Sequence, residues 1–139
     1  MKSDKLKITK NIYLLSGCIF IMLTVIYNLS KLHSIYVLAD EFGYWTSASF
    51  FRGYNWSDIA AMNPYYSFGY GILLSPLLWL QNSVLSYQGA IILNGILLCL
   101  SFLLSYHCLS ILFKTLRTEY SVCISAAITL YASNVGLSQ

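Results

Sequence analysis

Two adjacent carboxylates, Asp40 and Glu41, stand between a long apolar run and a dense aromatic cluster. The only other acids in 139 residues are Asp4, Asp58 and Glu119. A carboxylate at the boundary of hydrocarbon and water is costly to place. Two chemistries suit the pair. In the first, Asp40 caps the N-terminus of a short helix and Glu41 complements the dipole in its first turn. In the second, one carboxylate takes the proton of an attacking hydroxyl, or the two share a divalent metal. Residue types alone leave both open.

The composition sets the stage for that pair. The chain is 58% hydrophobic and 9% charged, with a mean hydropathy of +0.65. Soluble domains carry about 25% charged residues. The chain therefore reads as all-α and polytopic, in contact with membrane lipids. Its net charge of +3 comes mostly from N-terminal lysines. No basic stripe interleaves with the aromatic residues, so nucleic acid is not an expected partner. Cys18, Cys99, Cys108 and Cys123 all lie inside apolar runs without C-x-x-C spacing, as small packing residues do.

Four segments are long and apolar enough to be read as transmembrane helices. Residues 1–10 carry Lys2, Lys5, Lys7 and Lys10, which place the N-terminus in the cytoplasm. Residues 11–29 follow without a charge and reach about 29 Å, enough to cross a bilayer core. This run is longer than a signal-peptide core, so a retained helix is expected. Residues 30–65 form an outer loop rich in Tyr, Trp and Phe, side chains that favour the membrane–water interface. Within it, residues 41–52 read as a short interfacial helix ended by a left-handed Gly53. A second short helix begins at Ser57 and cannot continue through Pro64.

Residues 66–81 are the second apolar run, only about 24 Å long. Ser67, Gly71 and Ser75 give it a small-residue face for close helix approach. Pro76 and Trp79 suit a kinked helix that stops at an interface. A turn over residues 82–86 leads to the third run, residues 89–113. There Asn94, Ser101, Ser105 and Cys108 share one face, expected to pack on neighbours. His107 falls near its outer end as an interfacial side chain rather than a proton relay. Residues 120–137 are the fourth run, with Ser121, Ser125, Thr129 and Ser133 at four-residue spacing. Simple alternation puts Lys114 and Arg117 outside, against the positive-inside rule. A re-entrant hairpin over residues 66–81 would instead put them inside.

The order of these features resembles the start of GT-C glycosyltransferases. The stretch Asp40-Glu41-Phe42-Gly43-Tyr44-Trp45 is similar to their first outer loop. So are its continuations, Phe50-Phe51-Arg52-Gly53-Tyr54-Asn55-Trp56-Ser57 and Tyr65-Tyr66-Ser67-Phe68-Gly69-Tyr70-Gly71. The nearest branches are the bacterial ones around the protein O-mannosyltransferases and the aminoarabinose transferase of lipid A. Residues 131–139 look like that family's fourth helix running into a second outer loop, with Gln139 where many relatives carry an acid. The resemblance covers the chain but only the first part of such an enzyme, whose remaining helices are an implied partner.

The resemblance implies a cell-membrane enzyme that passes a sugar from a polyprenyl-phosphate donor to an acceptor at the outer face, with inversion. Asp40 is then the base and Glu41 its orienting neighbour, or the two hold a divalent metal. Arg52 or Lys31 would assist the leaving phosphate, and Tyr44, Trp45, Tyr65 and Tyr66 would line the substrate groove. Such a chain alone is expected to be inactive, since the family's main phosphate-binding cations lie in later loops. The alternative is a small multi-pass membrane protein without enzymatic activity, binding a partner or serving a transporter, or an inactive truncated product.

Overall fold

The computed structural model describes residues 2–30, 39–54, 68–114 and 116–137, with side chains for residues 8–30, 42–54, 68–114 and 116–131. All regular structure among them is helical. The helices are α1 (Lys2–Ser30), α2 (Ala39–Phe51), α3 (Phe68–Leu74), α4 (Ser83–Leu112) and α5 (Thr118–Leu137), with a 3-10 segment over Ser75–Leu80. They fall into two compact units: Lys31–Ile91, and Met1–Ser30 together with Ile92–Gln139. The second short loop helix expected from Ser57 lies outside the described residues.

In the unit of the chain ends, α1 runs antiparallel to its part of α4. Lys10 Nζ lies 5.1 Å from the centre of the Tyr106 ring. Further along, Gly17 faces Phe102, and Met22 and Val25 face Gly95. A Cβ on Gly17 would come within 2.7 Å of the Phe102 ring, and one on Gly95 within 3.0 Å of a Val25 methyl. The glycines are notches that receive the larger side chains, which is how helices gain dispersion contact when their faces are apolar all round. Cys99 Sγ lies 3.7 Å from the Cys18 carbonyl in the same seam.

That seam corrects two expectations. The packed face of α4 carries Gly95, Phe102 and Tyr106, all buried. Of the expected face, Asn94, Ser101 and Cys108 are exposed and Ser105 is half-buried, because shape at the glycine notches decides the contact. Antiparallel pairing also brings the α4–α5 connector, with Lys114 and Arg117, to the end of this unit that carries Lys10. Alternation over four spans puts them, and His107, at the opposite end. Arg117 Nε makes an ion pair with Glu119 at 3.2 Å; both side chains are exposed, so it adds little.

α5 packs on α1 and buries Ser121, Ser125 and Thr129. Their hydroxyls donate back along the helix, to Arg117 O at 3.5 Å, Ser121 O at 2.7 Å and Ser125 O at 2.9 Å. Each buried hydroxyl is thereby satisfied without a partner from another helix. Ile8–Ser30 and Ser83–Leu112 are long and apolar enough to cross a membrane. Only 6% and 22% of their most apolar windows is buried, so neither is a core helix shielded by this chain.

In the unit of residues Lys31–Ile91, α2 and α3 are in close contact. The expected small-residue face does this work through Gly71. A Cβ there would lie 2.7 Å from Ser47 Cβ and 3.3 Å from the Ala48 amide nitrogen. Gly43, Thr46, Ser47, Ala48 and Ser49 on α2 are all buried. Thr46, Ser47 and Ser49 donate to the carbonyls of Phe42, Gly43 and Trp45 at 2.7, 3.1 and 2.9 Å. The three buried hydroxyls of this stretch are thus paired inside their own helix.

α3 cannot continue as an α-helix because Pro76 has no N–H to give. The chain tightens into the 3-10 segment and ends at Gln81, whose φ is 49°. Asn82 then caps α4: its Oδ1 accepts from Val84 N at 3.0 Å and Leu85 N at 3.2 Å. α4 therefore starts at Ser83, not at residue 89, and the expected turn over 82–86 is its first turn. Ser86 Oγ ties that turn to Leu77 O at 2.9 Å.

Gly71→Ala should lower the unfolding free energy by about 1–3 kcal/mol, since the added carbon meets a neighbouring backbone and Cβ. Gly89→Ala meets only a methyl of Leu77, which can turn, and gains about 1 kcal/mol of helix propensity. Denaturant unfolding of the two variants should separate them clearly. Equal losses would refute the close α2–α3 contact.

Candidate functional site

The site is built on α2. The helix starts at Ala39, so Asp40 and Glu41 both lie in its first turn and Asp40 is not the capping residue. Both residues stand at the end of the helix where unpaired N–H groups favour negative charge. Their side chains lie outside the described residues, as do Tyr65, Tyr66 and Lys31.

Tyr44 and Trp45 follow on the second turn, both half-buried. The Tyr44 ring meets Tyr70 edge to face, 5.1 Å between centres at 88°. This pair ties the first turns of α2 to α3 beside the Gly71 contact. Phe51 and Phe68 make a second aromatic pair at 6.1 Å.

At the other end, α2 stops as its sequence directs. Gly53 adopts φ 76°, a region open to glycine. Tyr54 N donates to Ser49 O at 3.1 Å and Gly53 N to Phe50 O at 3.0 Å, the paired bonds of a Schellman cap. The cap sends Arg52 sideways onto Trp79, with the guanidinium carbon 4.5 Å from the ring centre. Arg52 Nε is buried and has no hydrogen-bond partner among the described residues.

The geometry separates two residues that chemistry would place together. Asp40 and Arg52 are twelve residues apart, about 18 Å along a helix axis. Arg52 is moreover drawn toward Trp79. One sugar phosphate cannot meet both through short contacts unless it lies along the helix. Among the described residues no three His, Cys, Asp or Glu side chains come together as a metal site. Trp79 and Tyr70 were not among the expected site residues. Their roles depend on how the chain folds back after α2, and no local spacing signals that.

No protein-family model, curated protein or solved structure matches the chain.

A cation over a Trp ring at an exposed position contributes about 0.5–1 kcal/mol. Arg52→Gln, Trp79→Leu and the double variant should therefore show a coupling of that size in unfolding free energy. Strict additivity would mean that the two side chains do not stack in solution.

Proposed function

We propose that the chain is the N-terminal module of a GT-C type glycosyltransferase, multi-pass in the cell membrane with its N-terminus in the cytoplasm. It takes part in moving a sugar from a polyprenyl-phosphate donor to an acceptor at the outer face. The observation that carries this reading is the position of Asp40 and Glu41 in the first turn of a short helix that is locked onto its neighbour. A carboxylate on a rigid element can be aimed at an incoming hydroxyl far better than one on a free loop. Ile8–Ser30 and Ser83–Leu112 support the membrane location, and the N-terminal lysines support the orientation.

In this mechanism the acceptor oxygen bonds to the anomeric carbon from the side opposite the lipid phosphate. The bond from that carbon to the phosphate oxygen breaks, and the phosphate leaves with its electron pair. Asp40 receives the hydroxyl proton. Glu41, one residue on in the same first turn, is proposed as the group that orients Asp40. Two carboxylates are the oxygen donors that a hard divalent cation takes. Arg52, held on Trp79, is better suited to anchoring α2 at a headgroup layer than to the departing phosphate.

A second reading is favoured by one observation. The face of α4 with Asn94, Ser101 and Cys108 is exposed. In a lipid-crossing helix such a face calls for cover by further helices, either of the same enzyme or of a separate partner. A small non-enzymatic membrane subunit would present it equally.

Sugar transfer decides between them. Membranes of the natural host are supplied with polyprenyl-phosphate-linked mannose or aminoarabinose and compared for wild type and Asp40→Asn. Loss of the base should lower transfer about 10²–10⁴-fold at an unchanged protein level. Undiminished transfer by Asp40→Asn at that level would overturn the assignment.

A further inference from the structure

We infer that residues 31–91 begin and end on one face of the membrane, and that Phe68–Leu80 dips into the lipid of one leaflet without crossing. This rests on the membrane reading above but not on the enzymatic one. The first support is parity. The seams Lys10–Tyr106, Gly17–Phe102 and Val25–Gly95 make α1 and α4 antiparallel. Ser30 and Ile92, where the chain leaves and regains that unit, therefore lie at the same end of it. If α1 and α4 both cross, the segment between them crosses an even number of times. Among its described residues it holds one apolar helical stretch, Phe68–Leu80, so the even number is zero.

The second support is length. Seven α-helical and six 3-10 residues rise about 23 Å, short of a hydrocarbon core of about 30 Å. The break forced by Pro76 and the left-handed Gln81 turn the chain back instead of carrying it through. The third support is charge. The antiparallel seam gathers Lys114 and Arg117 at the end of Lys10, as the positive-inside rule requires of one cytoplasmic face. Four simple spans would divide these cations between the two faces.

The partner that fits the exposed side of this stretch is a phospholipid leaflet. Phe68, Ile72, Leu73, Trp79 and Leu80 are all exposed there, a run of large apolar side chains on one short stretch. Arg52 over Trp79 supplies a cation among these rings, an arrangement suited to the depth of lipid phosphates.

Single cysteines test the layout. They are placed by Tyr54→Cys, Ser83→Cys or Arg117→Cys in a full chain whose Cys18, Cys99, Cys108 and Cys123 are Ala. A membrane-impermeant maleimide is applied to intact and to permeabilised cells. The inference expects the Tyr54 and Ser83 positions to react alike, both on intact cells, and the Arg117 position only after permeabilisation. Reaction at Tyr54 and Arg117 from outside, with Ser83 protected, would mean that Phe68–Leu80 crosses, and would overturn the inference while leaving the glycosyltransferase reading intact. The reverse pattern, with Arg117 alone reacting from outside, keeps the shared face and overturns the proposed orientation. Release of the chain by alkaline carbonate would overturn the membrane reading and this inference together. Should the cysteine-free chain not accumulate, an epitope inserted between Leu116 and Arg117 of the wild-type chain and probed by antibody reads the connector's face.

Discussion

The contact between α2 and α3 at Gly71 is too close to admit a Cβ there. It exists because Gly71 has no Cβ and faces Ser47 and Ala48. Close approach would normally bury unpaired hydroxyls on α2. Here Thr46, Ser47 and Ser49 bond to carbonyls one turn back in their own helix. The helix is thereby held on one side and needs no polar partner on the other. Its first turn carries Asp40 and Glu41, and its last residues carry the Schellman cap and Arg52. Positions at both ends of α2 follow from a contact in its middle.

The same device recurs in the other unit. Gly17 and Gly95 receive Phe102 and Val25, and the hydroxyls of α5 form a ladder of bonds back along their own helix. Apolar helices in an apolar solvent gain nothing from hiding apolar surface, so they associate through shape and through small residues. Both units show that economy. It agrees with the proposed membrane location, and with the broad exposure of α1, whose Ile12, Leu15, Ile19 and Leu23 all face outward. The proposed catalysis rests separately on Asp40.

Local signals in the sequence were legible where one residue decides the outcome. Gly53 after a short helical stretch reads as a left-handed stop, and the cap has that form. Gly71 in a small-residue row reads as a site of close approach. Asn82 before an apolar run was a readable cap, but the polar residues Ser83, Ser86 and Gln88 made the first turn of α4 look like a loop. The packed face of α4 is not the one that its hydroxyl and amide side chains suggest. Glycine notches and large side chains instead fit together there, and that fit depends on the facing helix. The stack of Arg52 on Trp79 joins residues far apart in the chain and has no local signature. The direction of α4 relative to α1 is likewise a tertiary fact, and it alters how many times the chain is proposed to cross.

The central claim is that the start of α2 handles a polyprenyl-phosphate sugar. The most direct measurement is photocrosslinking in native membranes with a diazirine-bearing polyprenyl-phosphate sugar, followed by peptide mapping. An adduct within residues 39–54 that unlabelled donor competes away is the expected result. Adducts absent from that stretch, or indifferent to competing donor, would contradict it.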